Sequence, residues 1–212
     1  MLYELLNKEP ATEYNNPEAI SNKELCKIVE FAAKTAEINN KKYIIGGGIA
    51  LAIYYNKIVR KHRDLDLYIL KEDFNFWKSF CETFNLVVFK NKWNKNYYGG
   101  KIINNKKIKR LIDLNFNIPN LIKENGEIKI LISDFITDRW QNGITIEDAP
   151  YILKHGVRIL SPEVIKEQKI GRHLNHCKIP GFRINSNIKK DSIDLASYLD
   201  ISGLEIDFHE AE

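Results

Sequence analysis

Three consecutive glycines, Gly46-Gly47-Gly48, stand between two apolar runs, residues 43–45 and 49–55. Shortly after them, Asp64-Leu65-Asp66-Leu67-Tyr68-Ile69-Leu70 alternates with a period of two. A glycine triplet weakens any strand or helix that it interrupts, so it reads as a turn. The flanking runs then read as a buried strand and an apolar helix, and the alternating segment as a second strand. Strand, turn, helix and strand in that order call for a sheet with helices packed on it.

The rest of the chain supports that class. Leu25, Ile28, Val29, Ala32 and Ala36 form one stripe, which predicts a helix over about 21–39, opened by Ser21 and Glu24 at capping-box spacing. Residues 71–84 predict another amphipathic helix and 86–89 a strand. Residues 90–111 read as a hairpin with a basic loop, Gly99-Gly100 forming a turn. Residues 110–118 alternate again, with Ile112, Leu114 and Phe116 on one face and Leu111, Asp113 and Asn115 on the other. Further on, 127–133 and 156–160 read as strands, 175–187 as a loop and 189–202 as a last helix. The helix over 161–174 starts with Ser161 at the N-cap and Pro162 at the first helical position. Residues 1–20 read as an irregular arm. Pro119 and Glu124-Asn125-Gly126 suggest a division into residues 1–120 and a smaller, mainly helical region, 121–212. The fold class expected is α/β (α+β), a mixed β-sheet flanked by helices.

Composition narrows the surroundings. With 212 residues, 44% of them hydrophobic, the chain is long enough to bury a real core. A net charge of +4 permits an anionic ligand without the basic stripe of a general nucleic-acid binder. Cys26, Cys81 and Cys177 are far apart and odd in number, which fits a reducing compartment rather than a disulfide framework. The opening residues lack the pattern of a secretory signal, and no apolar run reaches membrane-spanning length. The expectation is a cytoplasmic protein with no membrane partner. Asparagine is frequent, and the sequence offers no physical reason for it.

The chemistry concentrates around the glycines. A glycine turn between a strand and a helix lets backbone amides approach a ligand, and the helix start favours negative charge, which suits a phosphate. A tight structural turn is the alternative at this point. Asp64 and Asp66 are two residues apart, so in a strand both carboxylates point the same way, and they repel unless a cation lies between them. A magnesium ion suits such a pair, because it takes one or two carboxylates together with substrate phosphates. Asp113 brings a third carboxylate if its strand lies beside that of Asp66. Arg60 and His62 share the parity of the aspartates, so a strand extended back to residue 60 would align all four. Arg60 would then clamp a phosphate and His62 bond to one, or both would merely neutralise the aspartates.

Gly47-Gly48, followed by Asp64-Leu65-Asp66, resembles the signature of the polymerase-β-like nucleotidyltransferase superfamily. The fuller pattern, GG…ALA…R-x-H-x-D-L-D, is similar to that of the small aminoglycoside 2″- and lincosamide nucleotidyltransferases. It is also similar to that of the nucleotidyltransferase toxins of abortive-infection systems. The resemblance implies a nucleotidyltransferase fold and Mg²⁺-dependent transfer of a nucleotide, AMP foremost, from ATP or another NTP to an acceptor hydroxyl. Asp64, Asp66 and Asp113 would be catalytic and hold two metal ions, with Asp113 a second-metal ligand or the base. Gly47, Gly48, Arg60 and His62 would bind the nucleotide. More loosely, Lys169 in "SPEVIKEQK" and Lys190, with Asp191 and Asp194, in "KKDSIDLASYL" resemble later family helices, which adds both lysines to the nucleotide site. The acceptor would be a small molecule such as an antibiotic. The alternatives are tRNA or protein for a toxin, with an antitoxin partner, or a catalytically inactive nucleotide-binding module.

The basic run Lys106, Lys107, Lys109 and Arg110 is a departure from the resistance enzymes. It suits an anionic acceptor or a solvated hairpin. Trp93, Tyr97 and Tyr98 suit stacking on a ring or covering the core. His173, His176 and Cys177 lack a second ligand pair, so a zinc site is discounted.

Overall fold

The computed structural model describes residues 22–62, 64–90, 97–104, 107–118, 121–130, 143–177 and 186–199. The arm at 1–20, Ser21 of the capping box, Trp93, Lys106, Pro119 and most of the 175–187 loop lie outside the described residues. So do the side chains of Tyr97, Tyr98, Lys107, Lys109, Arg110, His173, His176 and Cys177.

In chain order the elements are α1 (Asn22–Ile38), β1 (Tyr43–Ile45), α2 (Gly47–Tyr55), β2 (Leu65–Ile69), a 3₁₀ turn (Lys71–Asp73) and α3 (Phe74–Glu82). There follow β3 (Val87–Lys90), β4 (Tyr97–Asn104), β5 (Lys107–Asn115), β6 (Leu121–Glu124) and β7 (Glu127–Ile130). The last are β8 (Tyr151–Lys154), β9 (Val157–Leu160), α4 (Pro162–Cys177) and α5 (Ser186–Leu199). Seven strands form one mixed sheet in the order β3-β4-β5-β2-β1-β9-β8, and β6-β7 forms a separate hairpin. The sheet thus draws strands from both sides of residue 120. The expected mixed α+β architecture, a sheet flanked by helices, is present.

Local sequence explains most of these elements. The predicted stripe of α1 is buried along its whole length, from Leu25 to Ala36. α2 is apolar all round and correspondingly enclosed, with residues 49–53 buried throughout. It ends where Asn56 adopts a left-handed conformation, φ 51°, and its N–H bonds back to Ala52. Among the described residues the non-glycine positions with positive φ are Asn40, Asn56, Asn85, Asn125 and His155. Helix ends and tight turns therefore account for part of the asparagine usage.

Several expectations need correction. Gly99-Gly100 is not a turn: both lie within β4, which carries an irregularity just after Gly100. Asn125-Gly126 closes the β6–β7 hairpin, both residues having positive φ, as a two-residue turn requires. β8 had no counterpart in the sequence reading. It is an edge strand with Tyr151 and Leu153 exposed, so it lacks a clear buried face to announce it. β2 begins at Leu65 and does not extend back to Arg60. Residues 57–62 are instead an irregular connection, in which Ile58, Val59, Arg60 and His62 are nevertheless buried.

Candidate active site

The parallel pairing of β2 with β5 places Asp66 directly beside Asp113. In-register neighbours share a face of the sheet, so the two carboxylates are brought together from positions 47 residues apart in sequence. On its other side Asp113 pairs with Gly99, which contributes no side chain. Burial alternates from Asp64 to Leu67, the aspartates being half-buried and the leucines buried. Asp113 is almost fully enclosed, with 1% exposure.

Each glycine of the triplet answers to a different neighbour. A Cβ at Gly46 would strike the ring of Tyr68, and one at Gly47 would strike the carboxylate of Asp66. Gly47 also has φ +63°, where side chains are disfavoured. A Cβ at Gly48 would lie 2.5 Å from Arg60 Nη2, 2.9 Å from His62 Cε1 and 3.1 Å from Asp194 Oδ2. The Gly46 N–H donates to the Asp66 carbonyl at 3.0 Å, which ties the turn to β2. Gly46 caps α2 without a side-chain bond. The first amides of a helix have no acceptors within it, so this end of α2 suits an anion.

Behind Gly48 lies a cluster of buried charge. Arg60 donates from Nε to Asp194 Oδ1 at 2.8 Å and from Nη2 to Oδ2 at 2.7 Å, a bidentate pair. Its Nη1 donates to the Lys61 carbonyl at 3.2 Å. Lys169 Nζ donates to Asp191 Oδ1 and to Asp194 Oδ2, each at 2.7 Å. Asp191 and Asp194 are three residues apart and so share a face of α5. Burial works against a charge on Asp194, but Lys169 and Arg60 outweigh it and hold the carboxyl well below the usual carboxylate range. Burial likewise opposes the charge on Arg60, and Asp194 more than restores it. His62 is held down to about 3 by burial and then by Arg60, so its ring is neutral at ordinary pH. Its buried Nε2 has no hydrogen-bond partner among the described residues.

The predicted residues therefore divide. Asp66, Asp113 and Gly47 meet at the mouth of α2, with Asp64 two residues before Asp66. Gly48, Arg60, His62 and Lys169 meet behind it, and Lys190 is half-buried on α5 next to Asp191. Asp191, Asp194 and Tyr198 also belong to this cluster. The first two were visible as part of the Lys-Asp-x-x-Asp spacing. Tyr198 Oη accepts from the Val59 N–H at 3.2 Å and donates to the Lys57 carbonyl at 2.9 Å. Nothing in its local sequence signals that.

Among the described residues, no three His, Cys, Asp or Glu side chains close on a common point as a metal cage does. The donor set still fits magnesium. Its oxygens come from carboxylates, and magnesium commonly takes only one or two of these, completing its shell with water and phosphate. The missing Cβ of Gly47 leaves the Asp66 carboxylate its space.

No family model matches the sequence, and no curated protein matches it. By fold, the chain is similar to a solution structure of the antibiotic-resistance factor ANT(2″)-Ia. The TM-score is 0.50 at 16% identity, covering 84% of this chain and 85% of that one. A crystal structure of ANT(2″)-Ia with adenylyl-2″-tobramycin aligns with a TM-score of 0.47 and 17% identity, over 81% of this chain and 87% of that one. The lincosamide antibiotic adenylyltransferase LnuA, lincomycin-bound, aligns with 0.45 and 15%, over 81% and 96%. At these identities the shared property is the fold, and the first alignment carries that conclusion. The chain has the nucleotidyltransferase fold, in line with the superfamily resemblance of its motif.

Proposed function

We propose that this chain is a nucleotidyltransferase that moves a nucleoside monophosphate, AMP foremost, from an NTP to a hydroxyl of a small acceptor. An aminoglycoside or lincosamide is the acceptor class that its motif suggests. One observation carries the reading: Asp66 and Asp113 stand side by side in register, next to the glycine-lined start of α2.

In the transfer, the acceptor oxygen bonds to the α-phosphorus while the bond to the β-phosphate oxygen breaks, and pyrophosphate departs. Bound magnesium, two ions in the full site, would neutralise the triphosphate and polarise the attacked phosphorus. Asp64, Asp66 and Asp113 are the residues that would hold it. Gly47 and Gly48 bring backbone amides and the positive end of α2 toward the phosphates. His62, neutral and with no partner for Nε2 among the described residues, and Lys190 are the further groups assigned to the nucleotide. Asp113 receives the proton of the acceptor hydroxyl or completes the second metal position. Catalysis of this kind comes mainly from positioning and fixed electrostatics.

The test supplies α-labelled NTPs and Mg²⁺ with aminoglycosides, lincosamides, total tRNA and cell lysate in parallel. Label on an antibiotic, with one pyrophosphate released per transfer, is the expected result. Label on tRNA or on a lysate protein would instead identify a toxin. Nucleotide binding with no pyrophosphate from any acceptor would identify an inactive module.

A further inference from the structure

We infer that Asp194 is a positioning residue of the nucleotide site: it seats α4 and α5 against the glycine turn and fixes Gly48 there, without touching the ligand. Only the identity of the ligand rests on the nucleotidyl-transfer reading; the coupling itself rests on contacts.

Asp194 is fully buried and lies at the centre of the cluster. Its two oxygens receive both prongs of Arg60 and the ammonium of Lys169, so one carboxylate joins the 57–62 connection to α4 and α5. The acceptor of both cations, Oδ2, lies 3.1 Å from the point where a Cβ on Gly48 would stand, and Arg60 Nη2 lies 2.5 Å from it. The first turn of α2 therefore rests directly on this ion pair. Tyr198, one turn further along α5, grips the same connection through Lys57 and Val59. A buried irregular segment needs such partners for its backbone.

The charges point the same way. Among the described residues, Arg60 and Lys169 are matched by Asp191 and Asp194, two charges of each sign. All three guanidinium nitrogens already have protein acceptors. Arg60 is 5% exposed and Lys169 2%. Both cations then serve the phosphates through the placement of Gly48 rather than by contact. Glycine at 48 follows as well, since any side chain would enter the cluster.

The experiment compares the full chain with Asp194→Asn, which keeps shape but removes charge. In the nucleotide-free protein, amide hydrogen exchange over residues 44–55 should quicken by about tenfold or more, while 151–160 keeps its rate. With nucleotide and acceptor, KM for the NTP should rise about tenfold and kcat should change far less. Arg60→Gln should do the same, and the two changes together should be no worse than either alone. A folded Asp194→Asn with unaltered exchange over 44–55 would overturn the inference. So would a lowered melting temperature with KM unmoved, since Asp194 would then be structural only. Should Asp194→Asn not fold, Arg60→Lys keeps the charge, loses the fork and carries both readouts. If the unaltered protein transfers nothing, the functional reading fails, and the exchange measurement still decides the coupling.

Discussion

Two groups of charge lie on either side of a single turn of helix and are built on opposite principles. On the Gly47 side, Asp66 and Asp113 bring like charges to one face of the sheet, with Asp64 just before β2. On the Gly48 side, Arg60, Lys169, Asp191 and Asp194 balance charge for charge at 2.7–2.8 Å, with water excluded. The balanced group needs nothing more and behaves as part of the core. Like charges brought close together favour a cation between them. The two sides therefore differ in sign, with like charges on one and matched charges on the other. A buried ion pair adds little stability compared with a packed apolar group, yet removing one partner is expensive. Such a pair is thus suited to fixing one arrangement.

Five measurements, one of them with its own control variant, would break or sharpen that comparison. Asp66→Asn should lower transfer by more than about a hundredfold with the far-ultraviolet spectrum and melting temperature little changed, because its charge serves a ligand. Normal turnover would remove Asp66 from the metal site. Asp194→Ala should act in the opposite sense, lowering stability to urea by about 3–5 kcal/mol, since it leaves two buried cations short of a partner. A loss under about 1 kcal/mol would show the cluster to be open to water.

Gly47→Ala should cost about 1–3 kcal/mol of stability and about tenfold or more in kcat/KM, through its left-handed backbone and the displaced Asp66 carboxylate. Gly126→Ala is its control: the backbone is equally unusual, at φ +82°, but the space around it is empty. That change should cost about 1–2 kcal/mol and leave turnover untouched.

Acid tests the neutral histidine. Below its ordinary value of 6.5 the unfolded chain protonates at His62, whereas the folded protein resists until about 3. The contribution is therefore complete above the higher value. It falls on acidification between the two, by up to about 1.4 kcal/mol per pH unit. Urea titrations should show that slope reduced in His62→Gln, and identical slopes would contradict a buried neutral ring. Smallest of all, Lys42→Ala removes an exposed pair with Glu147 at 3.2 Å and should shift stability by less than about 0.5 kcal/mol.

The like-charged side was far more legible than the balanced one. Asp66 and Asp113 announce themselves through alternation within short strands, Asp64 through its place just before one, and Gly47 through its place between two apolar runs. The alignment of Arg60 and His62 with the aspartates failed because parity holds only while the chain stays extended, and β2 starts at Leu65. Gly99-Gly100 misled for a related reason: glycine marks a turn in most contexts, but here it stands opposite a buried carboxylate. β8 was missed because an edge strand with Tyr151 and Leu153 exposed carries little periodic signal.

What the chain determined on its own was local: the stripe of α1, the enclosed helix after the glycines, the alternating strands and the carboxylates they carry. These follow from repeat lengths of two and 3.6 residues, which operate over a few positions. Packing alone decided which charges became partners. Arg60 meets Asp194 across 134 residues. No periodicity reaches that far. The match depends on how α4, α5 and the sheet close around one buried volume, where every charge must find its opposite or stay in water.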